Sequence, residues 1–133
     1  INVLLDVFLK RQPWGSDAAR LLTAVEERRA TGCVAGHTIT TAHYVIARLE
    51  GRQAAASAVS DLLRMVEVVP VEKDDFHQSL ALGFKDFEDA VQTVCGMKAA
   101  ADAIVTRDAE GFTASPVRVL APATALHLLG LPR

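Results

Sequence analysis

Acidic side chains concentrate in one short stretch of the sequence, KDFEDAVQ, at residues 85–92. Asp86, Glu88 and Asp89 fall within four positions, among apolar residues that fit a core. A further acid, Asp108, follows the apolar segment AIVT. Carboxylate oxygens are the ligands that Mg²⁺ and Mn²⁺ prefer in proteins. The spacing therefore predicts a site for a hard divalent cation.

A simpler interpretation of these acids is helix capping. An acid in the first turn of a helix stabilises the helix dipole by about 0.3 to 1 kcal/mol without any further role. Three acids, with a fourth after the next strand, are harder to explain in this way, because like charges oppose one another unless a cation screens them. On spacing alone, both interpretations stand.

Composition favours one globular domain. The chain has 133 residues, half of them hydrophobic, which suffices for one core. A formal net charge of −2 gives no bulk positive field, so nucleic acid would need a local patch of cations. No apolar run approaches the roughly 20 residues that cross a bilayer, and no signal-like segment is present. These features predict a cytoplasmic protein, with Cys33 and Cys95 as buried free thiols.

Strand-like and helix-like segments alternate along the chain. The predicted strands cover 33–35, 66–71, 103–106 and 117–120. The predicted helices cover 16–30, a segment from Thr38 or Thr40 to 49, 52–65, 72–82, 87–101 and 122–129. Such alternation predicts an α/β fold with a mostly parallel sheet covered on both faces. Ligands bind such sheets beyond the carboxyl ends of the strands, which brings Asp108 and the first turn of the 87–101 helix toward one crevice.

Three segments resemble motifs of the PIN domain family, of the kind found in VapC-type toxins and related small nucleases. NVLLDVFLKRQP, at 2–13, resembles the family's first strand-to-helix motif. DFEDAVQ, at 86–92, resembles its third acidic motif, and TRDAEGF, at 106–112, resembles its closing acidic motif. The resemblance covers essentially the whole chain. It implies one PIN-like domain over 1–133, a three-layer α/β/α sandwich around a mostly parallel central sheet.

The resemblance also implies an activity, that of a metal-dependent ribonuclease using Mg²⁺ or Mn²⁺, as in the toxin of a toxin–antitoxin pair. Asp89 and Asp108 take the third and fourth acidic positions of the family and are expected to be the catalytic metal ligands. Asp86 is a weaker candidate for the same metal, since a residue at its position more often caps a helix. The alternative for Asp89 and Asp108 is an ordinary helix-start acid and an ordinary turn acid.

Three further residues are expected to support the site. Asn2 would orient an active-site carboxylate by hydrogen bonding, or else cap the first helix. Thr106 would donate a hydrogen bond to the Asp108 carboxylate, or merely end a strand with a β-branched residue. Asp6 would face the rim of the pocket, with a solvated position on the first helix as the preferred alternative.

Two positions depart from the family's pattern. The first family Asp would fall immediately before Ile1, so both it and the strand that carries it are expected to lie outside this sequence. The second acidic position, in the segment at 36–48, holds His43, whose imidazole suits Mn²⁺ better than Mg²⁺. The site is then tuned toward a softer metal, weakened, or no longer catalytic. The last case defines the alternative function, a degenerate PIN fold that binds RNA or protein.

Partners are also implied. The cations that could flank the crevice and contact RNA phosphates are Lys10, Arg11, Arg48, Arg52 and Arg107. Trp14 lies in a turn, where packing under the loop is preferred to stacking on a base. Apolar helix faces near Leu21 and Leu62 exceed what one small core buries. By resemblance, they imply a homodimer and an antitoxin whose helix occupies a hydrophobic groove.

Overall fold

The computed structural model describes residues 1–131, which form seven α-helices, four short β-strands and one 3₁₀-helix. The helices are α1 (Asn2–Phe8), α2 (Gly15–Glu26), α3 (Gly36–Glu50), α4 (Arg52–Met65), α5 (Lys73–Ala81), α6 (Phe87–Lys98) and α7 (Pro122–Leu128). The strands are β1 (Cys33–Ala35), β2 (Glu67–Val69), β3 (Ile104–Val105) and β4 (Val119–Leu120), and the 3₁₀-helix covers Ala109–Phe112. The predicted α/β class and the alternation of elements are confirmed.

The strands form two separate parallel pairs among residues 1–131. β1 pairs with β2, with Cys33 opposite Glu67, and β3 pairs with β4, with Ile104 opposite Val119. Parallel pairing agrees with the prediction, whereas one continuous sheet was expected from the alternating elements. β2 is shorter than predicted and stops before Pro70, which has no N–H to donate to a ladder.

An apolar cavity of about 650 Å³ separates the two pairs. Its wall includes Val34 of β1, Ile104 of β3, Leu21 of α2 and Ala99 near the end of α6. Each strand has one unpaired edge in the described part of the chain, and both β1 and β3 contribute residues to the wall of this cavity.

Gly32 fixes where β1 begins. A Cβ at this position would lie 2.9 Å from Cγ1 of Val25 in α2 and 3.2 Å from Cγ1 of Val66 just before β2. A side chain at this position would force the Val25 side chain to move, because real Cβ atoms do not come so near a neighbour. The strand consequently runs beside β2 and delivers the chain directly into α3 at Gly36.

Two apolar clusters hold the helices. Leu5, Ile46, Ala55 and Ala58 join α1 to the α3–α4 pair, where small alanine side chains let the helices approach closely. The second cluster packs α6 against the β1–β2 pair and consists of Ala35, Val69, Val91 and Cys95. Cys95 is a buried free thiol as predicted, but Cys33 is exposed, because it opens a strand whose first residue faces solvent.

An ion pair between half-exposed Lys98 and buried Asp75 links α6 to the start of α5. Lys98 Nζ donates to Asp75 Oδ2 at 2.7 Å and to the Pro70 carbonyl at 2.8 Å. The hydrogen bond to Lys98 lowers the pKa of Asp75, and the same bond raises the pKa of Lys98. Asp75 also accepts from the Glu72 N–H and so completes the N-terminal cap of α5. The C-terminal end of α6 is thereby fixed, and its acidic N-terminal end with it.

Two helices end earlier than predicted because a non-glycine residue just beyond each helix adopts a left-handed backbone conformation. α6 stops at Lys98 rather than 101, and Ala100 has φ 52°. α2 stops at Glu26 rather than 30, and Arg28 has φ 60°. Non-glycine residues visit this region rarely, so composition gave no signal for either end. Among residues 1–131, no helix is both long and apolar enough to cross a membrane.

Candidate active site

Asp86 caps the helix that carries the acidic stretch. Its Oδ1 accepts a hydrogen bond from the Asp89 N–H at 3.1 Å, which satisfies one of the free donors at the start of α6. The Asp86 side chain is exposed. The capping role weighed for this residue is therefore present in the structure, and its carboxylate also stands close enough to Asp89 to act on it electrostatically.

Asp108 lies in the turn that follows β3. Its backbone N–H donates to Thr106 Oγ1 at 3.0 Å, and Thr106 itself is buried. Thr106 thus supports Asp108 through its backbone, and a hydrogen bond from the threonine hydroxyl to the Asp108 carboxylate stays a prediction. This short loop is an ST-turn, which sets the direction in which the chain enters the 3₁₀-helix.

An aromatic pair brings the two acidic segments together. Phe84 precedes α6, Phe112 ends the 3₁₀-helix after Asp108, and their rings meet edge to face with centroids 6.0 Å apart. Phe112 is 5 % exposed and anchors this contact in the interior. Edge-to-face rings add stabilisation beyond the area that they bury. The chain segments on either side of Asp89 and Asp108 are held in contact as a result.

The two carboxylates flank Gly111. A Cβ built on Gly111 would lie 3.1 Å from Asp89 Oδ2 and 3.1 Å from Asp108 Oδ2, so these oxygens are at most twice that distance apart. Burial, and then the charges of Asp86 and Asp108, raise the pKa of Asp89 to about 6. Glu88 adds to the same effect. The acids are thus held close enough to oppose one another's ionisation.

His37 is a site neighbour that sequence reasoning missed. It lies in the first turn of α3, directly after β1, and both of its ring nitrogens are buried without a hydrogen-bond partner in the described part of the chain. Burial lowers the pKa of His37, while the charge of Glu88 opposes that shift. Its position beyond the carboxyl end of a parallel strand was the signal that could have singled it out.

Asp6 forms an ion pair with Arg107 beside the site. Arg107 donates from Nε to Asp6 Oδ2 at 2.8 Å and from Nη2 to Asp6 Oδ1 at 3.3 Å, and Arg11 Nη1 lies 3.9 Å from Oδ1. Asp6 is only 1 % exposed, so the preferred expectation of a solvated position is wrong. The Arg107 guanidinium also lies over the Trp14 ring, with Cζ 4.1 Å from the ring centroid.

The remaining predicted site residues are not joined to the acids by the described contacts. His43 is half-buried on α3, and Asn2 is half-buried at the start of α1, where Ile1 rather than Asn2 is the capping residue. Across residues 1–131, no group of three or more His, Cys, Asp and Glu side chains lies close enough to hold a metal ion together. Asp89, Asp108, Asp86 and His43 therefore do not converge as one four-ligand set.

Two carboxylates nevertheless fit the way proteins bind magnesium. Mg²⁺ keeps several of its waters and is commonly held by one or two carboxylates together with substrate phosphates. Asp89 and Asp108 supply such a pair, and a cation between them would relieve the repulsion that raises the pKa of Asp89. The residues present are compatible with one hard divalent ion.

These features define an α/β protein with an acidic crevice beyond the carboxyl ends of its parallel strands. A PIN domain family model matches residues 1–110, which include all the acids of the crevice. The chain belongs to the PIN domain family, whose members are generally nucleases that use divalent metal ions. The predicted family and the PIN-like α/β fold are confirmed. Comparisons with curated proteins and with solved structures give no significant match.

Proposed function

We propose that this protein is a metal-dependent ribonuclease of the PIN type, in which Asp89 and Asp108 hold Mg²⁺ or Mn²⁺. The observation that carries the proposal is the convergence of these two carboxylates on Gly111, with the pKa of Asp89 raised to about 6. Two acids that serve only as helix caps are not stabilised by lying close together, because like charges repel. A cation site, in contrast, requires carboxylates that lie close together.

The neighbouring residues act as positioning groups in this proposal. Asp86 holds the backbone of Asp89 through its capping hydrogen bond, and Thr106 holds the backbone of Asp108. A bound ion would supply positive charge that offsets the negative charge gathering on the scissile phosphate. The two aspartates would keep that charge at the mouth of the crevice, where RNA can approach from solvent.

The first test is calorimetric titration of Mn²⁺ into the parent protein and into Asp89→Asn and Asp108→Asn. Asp74→Asn is the matched control, because Asp74 is also an acid in the first turn of a helix, α5, but lies outside the acidic crevice. We expect binding in the parent and the control and its loss in the two site variants. Metal-dependent cleavage of single-stranded RNA should follow the same order. Undiminished cleavage by both site variants would refute the site.

A separate prediction concerns the role of His43 in metal selection. If it occupies the second acidic position of the family, then His43→Glu adds a carboxylate and should raise cleavage supported by Mg²⁺ relative to Mn²⁺. His43 is half-buried on α3, and urea denaturation of the variant checks that the fold is kept. An unchanged ratio of the two activities would remove His43 from the site.

A degenerate PIN fold that binds RNA or protein is the alternative function. It is favoured by the fact that residues 1–131 supply a pair of converging carboxylates and no larger group of potential ligands. In that case, the parent protein would fail to bind Mn²⁺, and the acids would act as helix caps. RNA binding that persists in excess chelator, without cleavage, would support this alternative.

The wider biological setting belongs to the same proposal. A toxin with an antitoxin partner, a homodimer and a cytoplasmic location are the expectations that follow from the family resemblance. Exposed apolar side chains, including Leu49 at 64 % and Leu80 at 68 %, are compatible with a protein partner. Light scattering of the purified protein would test the dimer, and co-purification with the product of a small adjacent gene would test the antitoxin.

The expected extra strand would lie in the cavity between β1 and β3. Both strands have an unpaired edge among the described residues, and the apolar wall suits a buried parallel strand. Pairing on both sides would join the four strands into one sheet. Hydrogen exchange at the Cys33 and Val105 amides, which face away from β2 and β4, should slow in a protein extended before Ile1, and unchanged exchange would contradict the idea.

A further inference from the structure

Trp14 presents a large aromatic surface beside the candidate active site. It is the only tryptophan of the chain, and it is 44 % exposed. One face of its ring is covered by the Arg107 guanidinium, whose Cζ lies 4.1 Å from the ring centroid. Packing under the loop, the preferred expectation for this residue, therefore accounts for one face of the ring only.

The cation beneath the ring is held in place. Arg107 donates two hydrogen bonds to the Asp6 carboxylate, at 2.8 and 3.3 Å, and Asp6 is buried in α1. A guanidinium with a fixed carboxylate partner cannot follow a mobile ring, so the contact restrains the indole as well. The Asp6 carboxylate binds the edge of the Arg107 guanidinium, and the Trp14 ring lies against its face; we call these three side chains the Trp14 stack.

The backbone under Trp14 is equally constrained. The Gly15 N–H donates to the Arg11 carbonyl at 2.6 Å, and a Cβ at Gly15 would lie 3.0 Å from the Asp6 carbonyl oxygen. The turn between α1 and α2 thus packs directly on the end of α1, at a distance that requires glycine. A ring on such a turn is organised before any ligand arrives, which lowers the entropic cost of binding.

Location and charge both point to nucleic acid. Arg107 is the residue before Asp108, so the Trp14 stack is joined to the acidic crevice by one peptide bond. Arg11 and Arg107 share the single carboxylate of Asp6, which leaves an excess positive charge there, and Lys10 is exposed beside them. A positive rim with an exposed aromatic face is the arrangement that binds single strands, through phosphates and stacked bases together.

We propose that the exposed face of Trp14 stacks against an unpaired base of the RNA whose backbone reaches Asp89 and Asp108. The inference rests on the proposed ribonuclease function. Lys10 and Arg11 contact the phosphates beside the stacked base and position the strand. Any base has a flat face, so the Trp14 stack favours single-stranded over double-stranded RNA without selecting a sequence.

Fluorescence of the sole tryptophan tests the proposal directly. The titration uses the Asp89→Asn protein, so that RNA stays intact, with a short labelled oligouridine as ligand. An abasic oligomer of equal length and a blunt RNA duplex serve as comparison ligands. We expect saturable quenching by the oligouridine and little quenching by the other two. Anisotropy of the label should report affinity about tenfold weaker for Trp14→Ala and near that of the parent for Trp14→Phe.

Tyr44→Ala is the matched control variant. Tyr44 is 60 % exposed and also carries a cation on its ring, since Arg48 Cζ lies 5.8 Å from its centroid, but it sits on α3 away from the acidic crevice. RNA affinity should be unchanged in this variant. An equal loss in Tyr44→Ala and Trp14→Ala would mean general aromatic binding and would overturn the proposal.

The outcomes separate this inference from the proposed nuclease. RNA that binds by anisotropy without changing tryptophan fluorescence would overturn the Trp14 stack as a base site and leave the nuclease untouched. Saturable quenching in a parent protein that neither binds Mn²⁺ nor cleaves RNA would support the base site and refute the nuclease. Because quenching is read on the native tryptophan, the test holds even if Trp14→Ala fails to fold.

Discussion

Phe84 and Phe112 meet edge to face, with ring centroids 6.0 Å apart, and join the segment before α6 to the segment after Asp108. This contact lies outside the acidic crevice, yet it fixes the separation of the two chain segments that form it. The candidate site therefore depends on an apolar contact that carries no charge of its own.

Phe112→Leu should weaken the site through packing alone. The change removes the edge-to-face contact and opens a small cavity, at a cost of about 1 to 2 kcal/mol in the free energy of unfolding. Urea denaturation measures that cost, and calorimetry should show weaker Mn²⁺ binding. Phe76→Leu is the control, because Phe76 is 41 % exposed and stacks only on exposed Phe87. Equal losses in both variants would contradict the role of Phe112.

Gly111→Ala should push the two carboxylates apart. The added methyl group would lie 3.1 Å from an oxygen of each acid, which is tighter than ordinary contact, so at least one side chain must move. We expect weaker Mn²⁺ binding, with a change in the free energy of unfolding below about 1 kcal/mol.

Gly96→Ala is the paired control for that variant. Its new methyl group would meet Ile104 Cγ1 at 3.5 Å, an ordinary van der Waals contact, in the interior of α6. Alanine is the better helix former, so this variant should gain about 0.5 to 1 kcal/mol and bind Mn²⁺ like the parent. Loss of metal binding in both glycine variants would point to α6 as a whole rather than to the gap at Gly111.

Asp89 should make the protein less stable as pH rises without divalent ions. Its folded pKa of about 6 lies above its ordinary value of 3.8, so the folded state binds the proton more tightly than the unfolded state does. The resulting stabilisation is fully present below about pH 4 and is lost as pH rises through 6. Asp89→Asn should remove this dependence and be more stable than the parent at pH 7, by on the order of 1 kcal/mol after allowance for solvent screening.

Denaturation in urea at pH 4 and pH 7, with chelator present, measures the effect. Adding Mn²⁺ at pH 7 should make the parent more stable to unfolding than Asp89→Asn, because only the parent retains both carboxylates to bind the ion. A parent that is as stable at pH 7 as Asp89→Asn in chelator would show that the two acids do not oppose one another.

The positions of the helices, the strands and the acidic pair could be predicted from the sequence. The long-range contacts between side chains and between strands could not. Apolar periodicity found β1 and α4 at their observed bounds, since glycines flank β1 and a glycine precedes α4. The order of the acidic motifs brought Asp89 and Asp108 toward one crevice, as in the structure. These are local patterns, and local patterns can be read along the chain.

The partners of Asp6 and His37 could not be read in this way. Asp6 meets Arg107 across a sequence separation of 101, and an acid on a helix has no local mark that distinguishes an ion pair from a solvated side chain. His37 lacked any partner spacing, yet the fold buries both of its ring nitrogens beside Glu88. The split into two strand pairs was equally invisible, because an alternation of strands and helices does not say which strands pair.

Asp6→Asn should destabilise the protein far more than the loss of an exposed ion pair does. The amide keeps the shape of the side chain but carries no charge, which leaves Arg107 and Arg11 without their shared partner at a position where Asp6 is 2 % exposed. We expect a cost of about 2 kcal/mol in the free energy of unfolding, measured in urea at pH 7.

Asp61→Asn is the control, because Asp61 pairs with Arg64 at the surface, and its cost should stay within about 0.5 kcal/mol. The fluorescence of Trp14 should also shift in Asp6→Asn alone, since Arg107 is then free to leave the ring. Equal costs in the two variants, with unchanged fluorescence, would mean that the Asp6–Arg107 pair does not hold the indole in place.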